Sequence, residues 1–146
     1  FSVNELGKPY HKEIAGKQTV NFNISHSGEF ILEGFAVGMD IGVDVQEMAG
    51  CPDYREIAGN FYTAEEAEDV INEGPELFFQ YWAAKEAYVK AIGIGLGRGM
   101  DFFSVRNGEI TEKGRKGQGW HLYPVKIEGY AAYVAAHKKG DKSNEL

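Results

Sequence analysis

Glycine spacing is the sequence feature that most constrains how this chain can fold. Nineteen glycines are spread over 146 residues and divide the chain into short segments. Glycine is unfavourable within helices and strands, and it favours the turns that join them. We therefore expect many short elements, with one long helix in the glycine-free segment that ends at Gly93.

The first half of the chain has the period of β-strands. Val20, Phe22 and Ile24 alternate with polar residues, which is typical of a half-buried strand. Ser27-Gly28 predicts a turn, and residues 30–37 predict a second strand that pairs with the first as a hairpin. A third strand is predicted over residues 41–46, where apolar and polar residues again alternate.

The middle of the chain is predicted to be helical, and its end returns to strands. The predicted elements are, in order, a short helix over 52–62, a second helix that begins with a capping box at Thr63 and Glu66, a long helix over 76–92, a hairpin of strands 101–106 and 109–111, and a hairpin of strands 120–127 and 130–137. This order predicts an α+β fold in which an antiparallel sheet packs against the long helix. We expect one domain over residues 1–137 and a flexible tail over residues 138–146.

Composition argues against several classes of function. The formal net charge of −7 disfavours general nucleic-acid binding, which needs a basic surface. No apolar run approaches the ~20 residues that span a bilayer, so we expect no membrane insertion. The single cysteine, Cys51, can form no internal disulfide, and soft ligands for structural zinc are too few. We therefore expect a cytoplasmic protein.

The long helix carries charged residues within and beside its apolar face. Lys85 falls near the centre of this face, where a charge needs a partner or a route to water. Glu86 and Lys90 are four residues apart and lie together at the border of the face. An exposed Glu–Lys pair is the common explanation of such spacing. With Lys85 beside them, the residues also fit an anion site next to a carboxylate.

A second carboxylate lies on the third predicted strand. Period 2 places Asp44 and Gln46 on one face of this strand, and Val43 and Val45 on the other. Asp44 either faces solvent or has a function, because aspartate is disfavoured within strands. A carboxylate from a strand and one from a helix are suitable ligands for a hard cation such as Mg²⁺, which prefers oxygen donors.

Two further segments offer polar or basic groups. Adjacent strand residues point to opposite faces, so Ser25 and His26 are poorly placed to share a proton as a catalytic pair. They fit a polar loop that offers a hydroxyl and an imidazole to a phosphate, or an ordinary turn. Lys8, between Gly7 and Pro9, could place a charge on a ligand, although most such tripeptides are turns.

Together these segments resemble the 4′-phosphopantetheinyl transferase superfamily, specifically its Sfp-like group. The matching segments are, in order, Gly7-Lys8-Pro9, Phe22 to Gly28, Ile41 to Val45 and Trp82 to Lys90. The last two carry the superfamily signature. The resemblance implies an enzyme that transfers the phosphopantetheine arm of coenzyme A to a serine of an apo acyl or peptidyl carrier protein, with Mg²⁺ as cofactor.

The resemblance also implies a metal site and a catalytic base. Asp44 and Glu86 are expected to bind Mg²⁺, and Gln46 occupies a third ligand position that is often acidic in this group. An amide oxygen at Gln46 would attract Mg²⁺ less than a carboxylate does. Glu86 is also expected to deprotonate the carrier serine, directly or through water.

Binding of coenzyme A is implied for five residues. Lys85 and Lys90 are expected to hold its pyrophosphate and to stabilise charge on the leaving phosphate, which makes Lys90 a catalytic residue as well. Ser25 and His26 are expected to contact its phosphates, and Lys8 to line its nucleotide end.

Enzymes of the Sfp-like group are pseudo-dimers of two similar halves, and this chain resembles the second half. Because it opens with Phe1 rather than Met, we expect a fragment, a processed chain or a cut domain. An unpaired half should expose an apolar face, so we expect either self-association or a companion chain that supplies the other half. The alternative function is an incomplete fragment that binds coenzyme A or a carrier protein without turnover.

Overall fold

The computed structural model describes residues 2–3, 9–10, 20–95 and 99–138 of the chain. The strands are β1 (Ser2–Val3), β2 (Pro9–Tyr10), β3 (Val20–Ser27), β4 (Phe30–Val37), β5 (Met39–Glu47), β6 (Thr111–Glu112), β7 (Arg115–Lys116), β8 (Trp120–Pro124) and β9 (Tyr130–Lys138). The helices are α1 (Tyr54–Phe61), α2 (Ala64–Glu73) and α3 (Pro75–Ile92). The predicted α+β class is confirmed, with antiparallel pairing in every sheet.

The central sheet has the strand order β5-β9-β8. β9 lies in the middle and pairs with the whole of β5, from Met39 opposite Lys138 to Glu47 opposite Tyr130. This leaves β5 with one edge that is not paired to another strand of its sheet. Such an edge exposes backbone N–H and C=O groups that must find other partners when they are buried.

The long helix and the β3–β4 hairpin cover opposite faces of β5. A Cβ added at Gly42 would overlap the carbonyl oxygen of Ala87, so the α3 backbone lies directly against this face of the strand. On the other face, a Cβ added at Gly34 of β4 would lie 2.7 Å from Val43 Cγ1. The glycines therefore set the distance between layers, and β5 is buried on both sides over most of its length.

The β3–β4 hairpin is attached to the free edge of β5 by side chains, and its polar face is the buried one. Asn21, Asn23 and Ser25 are buried, whereas Val20 and Ile24 are exposed. Four side chains of β3 form hydrogen bonds with the β5 backbone. Asn21 Nδ2 donates to Met39 O, and Asn23 Oδ1 accepts from Val43 N at 2.9 Å. Ser25 Oγ accepts from Val45 N at 3.1 Å, and Ser27 Oγ accepts from Glu47 N at 2.9 Å. We call these four residues the polar seam. They supply the partners that the edge of β5 lacks.

The helices build the main core on the α3 side of the sheet. The capping box predicted at the start of α2 is present, since Thr63 Oγ1 accepts from Glu66 N and Glu66 Oε1 accepts from Thr63 N. Tyr62 and Phe78 are buried at the junction of the three helices, with ring centroids 5.6 Å apart. No helix within the described residues combines the length and apolarity needed to cross a membrane.

Two predictions for the end of the chain are wrong in detail. Residues 101–106 and 109–111 do not form a hairpin, because Ser104 and Thr111 make only an isolated bridge around a 3₁₀ turn at Arg106–Gly108. The hairpin in this region is β6–β7, and its turn contains Lys113 with a φ of 52°. The strand predicted over 120–127 ends at Pro124, beyond which Val125 N donates to Ala132 O and Ile127 makes only an isolated bridge with Tyr130. Lys138, the first residue of the predicted tail, is the last residue of β9, and residues 139–146 lie outside the described residues.

The close approach of α3 to β5 yields a stability prediction. Gly42→Ala should destabilise the fold by about 3 kcal/mol or more, because the new methyl group would overlap helix backbone that cannot move independently. Gly59→Ala is the matched control, since a Cβ there has open space and alanine favours a helix by about 1 kcal/mol. Chemical denaturation of both variants measures the difference. Equal stability of the two variants would contradict the direct contact.

Candidate active site

A buried ion pair fixes the rotation of α3. Lys85 and Glu66 are both fully buried, and Lys85 Nζ lies 2.6 Å from Glu66 Oε1. Lys85 also donates to the carbonyl oxygen of Phe103, and Glu66 Oε2 accepts from Val105 N at 2.8 Å. The pair therefore joins α3, α2 and the segment that precedes the 3₁₀ turn.

Lys85 is enclosed in the core, whereas its predicted role needs an ammonium that coenzyme A can reach. Its ammonium lies 4.2 Å from the centroid of the Phe103 ring and has no exposed surface. Burial lowers the pKa of Lys85, and the charge of Glu66 opposes this effect. A contact between Lys85 and coenzyme A would require this ion pair to open. The structure thus places Lys85 in the core and apart from the charged groups that face β5.

Glu86 and Asp44 form a pair of carboxylates between α3 and β5. Successive helix residues are about 100° apart, so anchoring Lys85 in the core turns Glu86 toward the strand. Asp44 follows Gly42 by two residues and lies on the same face of β5, which packs on α3. It is only 5% exposed. The structure therefore brings together the two carboxylates that the sequence predicts as metal ligands.

Both carboxyl groups are held where ionisation is unfavourable. Burial raises the pKa of Asp44 to about 6, although hydrogen bonds and the charge of Lys90 oppose the shift. Burial, followed by the negative charge of Asp44, raises the pKa of Glu86 to about 7. A bound cation would favour the ionised form of both groups. Their environment thus fits a site for a divalent cation.

Lys90 lies beside this pair and in the gap between two strands. Its Nζ donates to the carbonyl oxygens of Val43, at 2.7 Å, and Ile24, at 3.0 Å. The same nitrogen is 3.9 Å from Asp44 Oδ1. Burial lowers the pKa of Lys90, while Asp44 and Glu86 oppose that shift. Lys90 therefore balances the charge of the carboxylates and links β3, β5 and α3.

Gln46 contacts Asp44 through its amide nitrogen. Gln46 Nε2 donates to Asp44 Oδ2 at 2.8 Å. This hydrogen bond uses the amide nitrogen of Gln46, so the residue can orient Asp44 and offer its amide oxygen, an acceptor, to a cation. Among the described His, Cys, Asp and Glu side chains, no group of three is placed to hold a metal ion. Two carboxylates and one amide oxygen form an incomplete set that suits Mg²⁺, which keeps waters or phosphate oxygens as further ligands.

The other predicted binding residues are distributed differently. Ser25 is buried in the polar seam, and its Oγ lies 3.2 Å from Asp44 Oδ1. His26 is exposed on the opposite face of β3. The two side chains thus do not form one phosphate-binding group. Lys8 lies outside the described residues.

Sequence reasoning missed Glu66 as the partner of Lys85. The capping box accounts for only part of this carboxylate, which also accepts from Lys85 Nζ and Val105 N. A buried lysine on an apolar helix face signals that a carboxylate is needed, but it does not indicate which of many glutamates supplies it. The role of Asn23 was also missed, because an alternating strand pattern does not tell which face is buried.

Comparison with known proteins identifies the family of this chain. Residues 40–136 match the family model of the 4′-phosphopantetheinyl transferase superfamily. Over 110 residues, the chain is 36% identical to a 4′-phosphopantetheinyl transferase of Bacillus subtilis and 34% identical to the 4′-phosphopantetheinyl transferase Sfp of Bacillus subtilis strain 168. Each alignment covers 73% of this chain and 46% of the relative. The chain belongs to the 4′-phosphopantetheinyl transferase superfamily.

A solved structure supports the fold alone. The crystal structure of Thermotoga maritima holo-[acyl-carrier-protein] synthase matches with a TM-score of 0.51 and 19% sequence identity. The match covers 68% of this chain and 63% of that structure. The chain spans about half the length of the curated relatives that it matches.

The buried ion pair makes a prediction that separates a structural from a binding role for Lys85. Lys85→Met should lower the free energy of unfolding by about 3–5 kcal/mol, because it leaves the Glu66 carboxylate buried without its partner. The double variant Lys85→Met with Glu66→Leu should recover part of this loss, since neither charge remains. Lys116→Met, which removes an exposed partner of Glu109, is the control and should be nearly neutral. Urea denaturation that leaves Lys85→Met as stable as the original chain would contradict the buried pair.

Proposed function

We propose that this chain takes part in the Mg²⁺-dependent transfer of the 4′-phosphopantetheine arm of coenzyme A to a serine of an apo acyl or peptidyl carrier protein. The single observation that supports this most is the pairing of the buried Asp44 carboxylate with the partly buried Glu86 carboxylate, with Lys90 beside them. Membership of the superfamily supports the class of reaction. A pair of carboxylates and an ammonium are the groups that such phosphoryl chemistry needs, because it relies on positioning and on neutralising charge.

The proposed metal site is formed by Asp44, Glu86 and the amide oxygen of Gln46. Bound there, Mg²⁺ would supply charge neutralisation for the pyrophosphate oxygens of the coenzyme. Asp44 is held from two sides, by Ser25 and by Gln46. These residues therefore prepare one ligand before any substrate arrives.

Glu86 is the proposed general base. A carboxyl group with a pKa near 7 is well matched to accepting a proton at neutral pH. The serine oxygen of the carrier would form a bond to the phosphorus that bears the pantetheine arm, and its proton would pass to Glu86, directly or through water. The bond from that phosphorus to the bridging oxygen would break, and adenosine 3′,5′-bisphosphate would leave.

Lys90 is proposed to stabilise the leaving group. Two hydrogens of its ammonium are donated to Val43 O and Ile24 O, which leaves one N–H for a phosphate oxygen. His26, exposed on the far face of β3, is proposed to contact a more distant phosphate of the coenzyme.

A cytoplasmic location is proposed for this chain, because the proposed substrates, coenzyme A and a carrier protein, are found in the cytoplasm.

The reaction can be tested by intact mass. Apo acyl carrier protein incubated with this chain, coenzyme A and Mg²⁺ should gain the mass of one phosphopantetheine arm, and EDTA should abolish the gain. Asp44→Asn should reduce the rate at least 100-fold, because it removes a charged ligand while keeping the shape of the side chain. Asp40→Asn, an acidic-to-amide change at the start of the same strand, is the matched control and should keep most of the activity.

The transfer assay also bears on the second candidate function, which is binding of coenzyme A or a carrier protein without turnover. The chain spans about half of its relatives, which favours an incomplete enzyme as the alternative. Calorimetric binding of coenzyme A without any mass gain would support a fragment that binds without turnover. If the Asp44→Asn variant transfers the arm at an unchanged rate, Asp44 is not a ligand of the proposed metal.

We further propose that the outer face of the β3–β4 hairpin pairs with a second copy of this chain or with a companion half. This face carries five exposed apolar side chains, namely Val20, Ile24, Ile31, Phe35 and Val37. Ile31 is 70% exposed and Phe35 is 65% exposed. An exposed apolar surface of this kind is typical of interaction sites.

Sedimentation equilibrium tests this surface. The chain alone should self-associate, and Phe35→Lys should shift it toward monomer because it places a charge within the apolar face. Ile71→Lys is the matched control, since Ile71 is 58% exposed on α2 and outside the hairpin. A monomer at every concentration would contradict self-association, and restored association on adding the missing half of a relative would then support the companion chain.

A further inference from the structure

The Asp44 carboxylate is held by a donor on each oxygen. Ser25 Oγ lies 3.2 Å from Oδ1, and Gln46 Nε2 lies 2.8 Å from Oδ2. Asp44 is buried, so neither oxygen is freely solvated. The two contacts fix the rotation of the carboxylate about its Cβ–Cγ bond, which is otherwise a broad torsion.

Ser25 is itself fixed by the backbone of β5. Its Oγ accepts a hydrogen bond from Val45 N at 3.1 Å, which is part of the polar seam. A hydroxyl has one hydrogen to donate, and here the hydrogen is directed to Asp44. The oxygen thus sits between a backbone N–H and a carboxylate, at the position where β3 meets the site.

This arrangement disagrees with a coenzyme-binding role for Ser25. A phosphate oxygen needs a donor, and the only hydrogen of the Ser25 hydroxyl is used by Asp44.

We propose that Ser25 is a positioning residue, which orients Asp44 as a metal ligand and does not contact coenzyme A. The proposal rests on the proposed function of Asp44. Without the Ser25 hydroxyl, the carboxylate is free to turn toward the Lys90 ammonium, 3.9 Å away, and to form an ion pair that competes with a cation. Loss of a group that orients a metal ligand typically weakens metal binding by about 10–100-fold.

The matched variants are Ser25→Ala and Ser27→Ala. Both remove a hydroxyl that accepts from the β5 backbone, at Val45 N and Glu47 N respectively, but only Ser25 contacts Asp44. Ser25→Thr keeps the hydroxyl and should rescue the loss. Mn²⁺ is used as the probe because its electron paramagnetic resonance reports the free ion directly, without coenzyme or carrier protein.

Ser25→Ala should weaken Mn²⁺ binding by about tenfold or more, while Ser27→Ala and Ser25→Thr bind as the original chain does. At saturating metal, the KM for coenzyme A should be unchanged in Ser25→Ala. Mn²⁺ affinity that is unchanged in Ser25→Ala, or reduced equally in Ser27→Ala, would overturn the proposal. So would a raised KM for coenzyme A with unchanged metal affinity, which would show the binding role instead.

Failure of the proposed function has a different signature. If the original chain binds Mn²⁺ but transfers nothing, the proposed activity of this chain fails while the Ser25 comparison still decides the positioning role. If the original chain binds no Mn²⁺, Asp44 is not part of a metal site and both proposals are overturned.

Discussion

The contact between Lys85 and Glu66 is the interaction on which the candidate site depends. It is a buried ion pair, and such pairs give little net stability but are strongly destabilising when one partner is lost. Here the pair anchors α3 against α2 and the segment before the 3₁₀ turn. Because Glu86 follows Lys85 directly, the anchor also decides which way the carboxylate proposed as general base points. A residue without exposed surface thus determines the geometry of the residues proposed to meet a substrate.

The central strand adds the second constraint. Gly42 allows the backbone of α3 to lie against β5, and this approach leaves Asp44 and Glu86 in one narrow, poorly solvated space. Burial raises the pKa of both carboxyl groups, the charge of Asp44 raises the pKa of Glu86 further, and Lys90 opposes both shifts. The fold therefore holds both carboxyl groups of the proposed cation site in one poorly solvated space.

The sequence predicted the fold class and the three helices, because each rests on a local pattern, whereas metal binding by Asp44 and Glu86 stays a prediction. Period 2 put Asp44 and Gln46 on one strand face, and the Thr63 capping box marked the start of α2. Patterns of this kind do not identify long-range partners. Glu66 was therefore not recognised as the partner of Lys85. The alternation in β3 did not reveal that the polar face is buried, because a free strand edge elsewhere in the chain decides it.

The polar seam has a consequence for the kind of space that the fold can offer a cation. Strands joined by a backbone ladder lie about 4.8 Å apart, which leaves no room for a third group between them. Side chains hold β3 farther from β5, and the ammonium of Lys90 enters the gap to meet a carbonyl oxygen from each strand. The polar seam thus leaves a small space at the edge of β5 that accepts a positive charge. The charge that occupies it is the ammonium of Lys90, which extends from α3 on the other face of β5.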